Sequence, residues 1–220
     1  MRFGVLGTGR VGRVLASRLV ELGHEVAMGS RSADNPAAKE WAASVGGGGR
    51  SGTFAEAAAF GEVVVNATAG AASLQALQMA GAPNLAGKVL IDVSNPIDPA
   101  SGLPPTLSVC NTDSLGEQIQ RTFPDAMVVK ALNTVNADVM VNPGLVPGSH
   151  NVFLSGNDER AKARVAEILV DFGWDPADIV DLGDITTARG TEMYLALWLR
   201  LWAVKGTGHF NIRVVSPQPG

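Results

Sequence analysis

The sequence predicts an α/β fold: a doubly wound parallel sheet with a small C-terminal segment of helix and strand. Three observations lead there. Short apolar runs alternate with segments of helical period through the first 132 residues, the signature of strands joined by crossover helices. A glycine-rich turn links the first run to the first helix. The chain has 220 residues, 46% hydrophobic and 17% charged, which is ordinary for a globular protein and enough for one large core with an appendage.

The elements follow in order. FGVLG (3–7) reads as a short buried strand, VGRVLASRLVELG (11–23) as a helix and HEVAMG (24–29) as the second strand. A helix is expected over 36–45, a flexible surface connection at GGGGRSG (46–52), a short helix near 54–60 and a strand at EVVVNAT (62–68). After a helix near 71–80, KVLIDVSNP (88–96) gives a strand ending in an Asn-Pro turn, and a Pro/Gly-rich loop runs through 96–106. A helix around 113–121 leads to the strand AMVVKAL (126–132). The series makes five or six right-handed crossover units, for which a doubly wound sheet is the economical topology.

The remainder has a different pattern. NVFLSG (151–156) predicts a strand, 157–173 a charged amphipathic helix, 190–204 a far more apolar helix and FNIRVV (210–215) a final alternating strand. The organisation expected is a first domain over 1–150 and a C-terminal segment over 151–220, with 143–150 at most a hinge in one compact body. No internal repeat is present.

Composition excludes several function classes. A net charge of -4 and a pI near 5.4 give no footprint for nucleic acid or an anionic membrane. The chain opens on a strand rather than a secretory signal, so the cytoplasm is the expected location. MYLALWLRLWAV (193–204) is interrupted by Arg200 and falls well short of the roughly 20 residues of a membrane span. The one cysteine, Cys110, forms neither an internal disulfide nor a CxxC metal site and is expected as buried filler. With 3 histidines and that cysteine, no metal site is expected.

GTGRVG sets Gly7, Gly9 and Gly12 in a GxGxxG frame between a strand and a helix, the context that gives the motif meaning. Gly7 permits the tight turn, Gly9 leaves room for a pyrophosphate and Gly12 lets the helix pack close to the sheet, so the helix N-terminus faces the phosphates of a dinucleotide. A glycine turn that only packs is the alternative. The second strand then runs into VAMGSRS (26–32), where an NAD-binding chain carries an acid for the ribose hydroxyls. Ser30 and Arg31 stand there instead, a hydroxyl and a planar guanidinium suited to a 2′-phosphate, so NADP(H) is the expected cofactor. Arg10 in the loop offers a second positive charge. A solvated Arg31 with Ser30 capping the next turn remains the alternative.

Ligands of open α/β sheets lie beyond the carboxyl ends of the strands, which puts Ala67, Asn95 and Asn133 at one rim. The two asparagines could hold a carboxamide or substrate carbonyl, or serve only as turn and cap residues. No general acid stands out. His24, His150 and His209 read as structural or exposed, Tyr194 or Lys205 could donate only if turned inward, and the catalytic residue stays unassigned. Transfer of hydride to a flat redox partner needs alignment more than a proton donor, which favours that class over a ketone. On the helix over 191–204, Leu195, Trp198, Leu199 and Trp202 make one apolar face and Tyr194, Leu197 and Leu201 much of the other. Such a helix is buried, by a second subunit in a symmetric homodimer or by the chain's own core.

GTGRVG followed by GSR, then KALNT (130–134) and ARGTEMYLALWLRLW near the C-terminus, resembles the NADPH-dependent oxidoreductases related to F420:NADP oxidoreductase over nearly the whole chain. The resemblance implies a Rossmann domain holding NADP, a C-terminal segment forming the second site and the dimer, and hydride passing directly between nicotinamide and the deazaflavin coenzyme F420. Carried onto this sequence, Thr8, Gly9, Arg10 and Val11 contact the pyrophosphate and Ser30 and Arg31 the 2′-phosphate. Ala67, Thr68, Ser94, Asn95 and the stretch from Asn133 to Ala137 line the nicotinamide end. For the small-molecule acceptor it suggests Trp198 or Trp202 as a shelf and Arg189, Arg200 or Lys205 near an anionic tail. Two stretches depart from the deazaflavin pattern, NATAG (66–70) in place of an Ile-Pro or Val-Pro step and NTVNA (133–137) in place of His-Thr-Ile-Pro.

Overall fold

The computed structural model describes residues 1–220 apart from 99, 101, 103, 104 and 218–220. The chain runs β1 (Arg2–Leu6), α1 (Arg10–Glu21), β2 (Glu25–Ser30), α2 (Pro36–Ser44), β3 (Gly49–Thr53), α3 (Phe54–Phe60), β4 (Val63–Asn66), α4 (Gly70–Ala80), α5 (Ala82–Leu85) and β5 (Val89–Asp92). It continues with α6 (Leu115–Thr122), β6 (Met127–Ala131), α7 (Ala137–Val141), β7 (Val152–Gly156), α8 (Glu159–Asp171), β8 (Ile179–Asp181) and α9 (Ala188–Lys205). The strands form one 8-stranded sheet ordered β3-β2-β1-β4-β5-β6-β7-β8. β1 to β6 are mutually parallel, β7 is antiparallel to β6, and β8 is parallel to β7. This is the expected doubly wound sheet, with the chain's direction reversing beside β1.

Both faces of the sheet are apolar because successive side chains point opposite ways and helices cover each side. Phe3, Val5, Val63, Val65 and Ile91 face Leu15, Leu19, Trp41, Val165 and Ile168 of α1, α2 and α8. Leu6, Val64, Leu90 and Val128 face Phe54, Ala57, Leu77 and Ile119 of α3, α4 and α6. Unbroken valine and isoleucine runs in the central strands are therefore what a sheet buried on both faces demands.

Three expectations need correction. Residues 49–53 are an edge strand rather than part of a flexible connection, paired in register from Val26 with Gly49 to Ser30 with Thr53. Their composition gives no strand signal; backbone bonding to β2 and cover from Trp41 and Val45 over Gly49 make the strand. Residues 210–215 form no strand. The Asn151 N–H donates to the Ile212 carbonyl at 2.9 Å, the Val214 N–H donates to the Asn151 side chain at 2.7 Å, and Phe210 is buried against Trp198. Cys110 is exposed. The C-terminal helix is covered by its own chain on one part only: Ala188, Thr191, Glu192 and Leu195 are buried, while Leu197 is 54% and Trp202 48% exposed.

Of the loop expected over 96–106, positions 99, 101, 103 and 104 lie outside the described residues, and a bridge joins Ile97 to Leu107. Among the described residues no helix is long and apolar enough to cross a membrane.

Candidate functional site

The glycine loop separates three roles by geometry. Gly7 has φ +121°, and a Cβ there would lie 2.5 Å from the Ala67 carbonyl oxygen. A Cβ at Gly12 would overlap the Gly7 carbonyl oxygen, so α1 sits against the loop only because that side chain is missing. At Gly9 a Cβ would meet nothing within 4 Å. Gly9 is also the N-cap of α1 and offers no side chain to its first turn, so the N–H groups there stay available to an anion. The loop thus fits a pyrophosphate: packing fixes two glycines, and the third keeps the approach clear.

Beside it, Ser30 ends β2 and is 5% exposed, donating to the Ser32 carbonyl at 2.5 Å and accepting from the Ser32 N–H at 3.3 Å. Its hydroxyl closes the turn, as the capping alternative has it. Arg31 is exposed, has no ion-pair partner among the described residues, and lines a groove of about 360 Å³ with Gly7, Thr8, Gly9, Phe54 and Gln75. An unpaired guanidinium beside the glycine loop supplies the fixed positive charge that a 2′-phosphate requires.

Ala67, Thr68 and Ala69 line this groove and also a second cavity of about 470 Å³, so the two lie side by side along the strand ends. Val11, Ser94, Asn95, Asn133 and Ala137 line the cavity too, while Leu195 and Trp198 reach it from α9. The site residues expected at the nicotinamide end therefore come together. Trp198 stacks on Phe210 at 5.3 Å and on Trp202 at 6.4 Å between ring centroids, which holds the indole against the cavity wall. The Asn95 side chain donates to the Asn133 carbonyl at 2.8 Å, and the Asn133 side chain donates to the Asn95 side-chain oxygen at 3.1 Å. Their amides lock two loops together rather than point free into the cavity.

A buried polar network beneath the rim was missed from sequence. Lys130 donates to Asp92 at 2.7 Å and to the Ser94 carbonyl at 2.6 Å, and pairs with Glu192 at 2.7 Å. Burial pulls the amine down, but the two carboxylates outweigh it and hold Lys130 above the usual lysine value. Asp92 also accepts from Asn66 at 2.8 Å and from the Ser94 hydroxyl at 2.7 Å, while Thr68 donates to Asn66 at 2.7 Å. A signal existed: VLID and MVVKA each place a single charge in a run that is otherwise apolar.

Other candidate side chains stand elsewhere. Arg10 lines the cavity but pairs with Asp138 at 2.6 Å, and His209 meets the same carboxylate at 3.1 Å. The His209 contact and Arg10 hold that carboxyl below its ordinary range. His150 bonds the Pro143 carbonyl and packs edge-on against Trp174, and His24 sits beside Phe3 and the N-terminal amine, so both are structural. Arg189 grips Glu117 at 2.6 and 2.8 Å instead of facing an acceptor tail, since its guanidinium has a carboxylate of α6 in reach. Arg200, Trp202 and Lys205 are exposed and line neither cavity. Tyr194 lines a separate groove with Thr134 and Phe153, where burial raises its hydroxyl pKa. Among the described residues no cluster could hold a metal ion.

A doubly wound sheet with an open glycine loop, a free arginine at the end of β2 and an apolar cavity beyond the strand ends defines a nicotinamide-dependent oxidoreductase of the NADP class. Comparison with known proteins gives the family. Residues 2–96 match the family described as NADP oxidoreductase, coenzyme F420-dependent. A crystal structure of a candidate F420-dependent NADP-reductase from Arthrobacter sp. FB24 is 53% identical, covers 97% of this chain and 99% of its own, and superposes with a TM-score of 0.92. The chain belongs to this family. Metalloreductase STEAP3 of Rattus norvegicus is 31% identical over 204 residues, 92% of this chain, and the chain spans 38% of that protein's length. A reductive aminase from Aspergillus terreus in complex with NADPH4 shares the fold at 18% identity and a TM-score of 0.66, over 93% of this chain and 62% of its own.

Proposed function

We propose that this oxidoreductase transfers hydride between NADPH and coenzyme F420. The observation that supports the reading best is the adjacency of the two cavities. The phosphate groove holding Arg31 shares Ala67, Thr68 and Ala69 as a common wall with a chamber of about 470 Å³, within the range of small-molecule sites. One end suits a dinucleotide and the other leaves room for a second ring.

When bound, NADPH supplies a hydride from C4 of its nicotinamide. The chain's own residues bind and align. The first turn of α1 and Gly9 hold the pyrophosphate with Thr8, Arg10 and Val11, and Arg31 meets the 2′-phosphate from the turn that the Ser30 hydroxyl closes. Thr68, Ser94 and the locked Asn95–Asn133 pair form the floor beneath the nicotinamide, with Ala67 and Ala137 at its edge. Leu195 and Trp198 exclude water and present an apolar shelf to a planar acceptor. None of Tyr194, Lys205, His24 and His150 lines the chamber, which fits hydride transfer between two aligned rings with the accompanying proton taken from water.

In this reading residues 1–150 bind NADP, and 151–220 complete the acceptor site and pair two copies in the cytoplasm. Met193, Leu197 and Val204, which share one side of α9 and are 39%, 54% and 86% exposed, are the apolar face offered to the second copy. The test is steady-state oxidation of NADPH with F420, free flavin, a quinone, an imine and a ferric chelate in parallel. F420 should be turned over far faster than the rest. Turnover confined to another acceptor keeps the oxidoreductase and discards F420.

A further inference from the structure

The fully buried cluster of Asp92, Lys130 and Glu192 is unused by any step above. Lys130 and Glu192 are each 1% exposed and Asp92 is 0% exposed at the side chain, so one positive and two negative charges have been taken out of water. A buried ion cluster is a poor way to gain stability, because apolar side chains of similar volume hold a core at least as well. Its value lies in direction: each charge must meet a particular partner.

The partners belong to the site from opposite sides. Asp92 ends β5 and gathers the rim, accepting from Asn66, from the Ser94 hydroxyl and from the Ser94 N–H at 3.2 Å. Lys130 adds a bond to the Ser94 carbonyl, one residue before Asn95. Glu192 lies on α9, and steps of three residues lead from it to Leu195 and then Trp198, the two side chains that wall the acceptor chamber. Its carboxylate also accepts the Leu115 N–H at 2.8 Å and the Gly116 N–H at 2.9 Å, which pins α9 to the start of α6.

We propose that Lys130 is a positioning residue which, through Asp92 and Glu192, sets the spacing between the nicotinamide rim and the Leu195–Trp198 wall. This rests on the reading of that chamber as the acceptor site. The groups facing the amine are Asp92 from β5, Glu192 from α9 and the Ser94 carbonyl; the phosphate loop at Gly7–Gly12 and Arg31 take no part. Loss of the amine should therefore loosen the acceptor wall while leaving the phosphate end of the dinucleotide site, which dominates NADPH affinity, intact.

The experiment uses Lys130→Met and the milder Glu192→Gln, which keeps the shape of the side chain and a hydrogen-bond acceptor. Four quantities are read: the Kd of NADPH by calorimetry on the free protein, KM and kcat with F420, and amide exchange along 188–205 of the NADPH-bound protein. Expected are an NADPH Kd within 3-fold of the parent, an acceptor KM raised 10-fold or more, and exchange at least 10-fold faster in α9 but unchanged over residues 7–21. If Lys130→Met does not fold, Glu192→Gln carries the test with the same signs. Exchange needs no acceptor, so a silent F420 assay with loosened α9 sinks the deazaflavin reading and leaves the role of Lys130 standing. Unchanged α9 exchange, or NADPH affinity falling in step with acceptor KM, overturns the proposal.

Discussion

Replacing Arg31 by Ala removes a cation beside the glycine loop that has no ion-pair partner among the described residues. The side chain is exposed and has no carboxylate to release among the described residues, so no internal pair is broken and the fold should keep its stability. A hydrogen bond to a charged group contributes about 1.5–3 kcal/mol, and the solvent around Arg31 puts this one in the lower half of the range. About 1.5–2 kcal/mol corresponds to a loss of roughly 10- to 30-fold in NADPH affinity. NADH lacks the phosphate, so its affinity should move less than about 2-fold. Calorimetric titration of both nucleotides into both proteins reads the difference, and the NADPH penalty should shrink as salt shortens the roughly 10 Å screening length of 0.1 M solutions. Equal affinity of the native protein for NADPH and NADH, or equal losses for both in the variant, would refute the reasoning.

Gly9→Val places a branched side chain in open space, so NADPH binding should vanish by calorimetry with the melting temperature within a few degrees; Gly12→Val meets the Gly7 carbonyl and should cost about 1–3 kcal/mol of stability in chemical denaturation. Asp113 is held at about 2, chiefly by its hydrogen bonds from Arg121 at 2.9 and 2.8 Å. A depressed carboxyl stabilises the fold above its unfolded pKa near 3.9 and loses that contribution as pH falls toward 2. Arg121→Ala should thus cost about 0.5–1 kcal/mol at pH 7, discounted for a half-exposed pair, and progressively less as pH falls through 2; a penalty independent of pH would count against it. Leu197→Asp should turn a sedimenting dimer into a folded monomer, because Leu197 is 54% exposed in the single chain. Native protein already monomeric at micromolar concentration would exclude the α9 interface.

Most of the Rossmann sheet was legible because its signals are local. Apolar runs at 3–7, 62–68 and 126–132 sit on strands, and the α3 helix falls on 54–60 as expected, capped by Thr53 with Glu56. What failed depends on partners distant in sequence. Gly49–Thr53 is a strand because β2 offers its edge, β8 is three residues long and shows no period, and FNIRVV alternates yet spends its bonds on Asn151. The candidate site divides the same way. Gly7, Gly9, Gly12 and Arg31 could be placed by motif and spacing, whereas Lys130 finds Asp92 across β5 and Glu192 on α9 only once the chain has folded. Asn95 and Asn133 were foreseen at one rim, but their mutual pairing was not.

Direct hydride transfer from NADPH to F420 leaves an isotopic trace. NADPH deuterated at the transferable C4 position is mixed anaerobically with the protein and oxidised F420 in a single turnover, and the reduced deazaflavin is examined by mass spectrometry and proton NMR. Direct transfer predicts one deuterium at C5 of the deazaflavin for each NADPH oxidised, with none exchanged into water. Reduced deazaflavin without the label, or no reduction while the same protein oxidises NADPH with another acceptor, would contradict it.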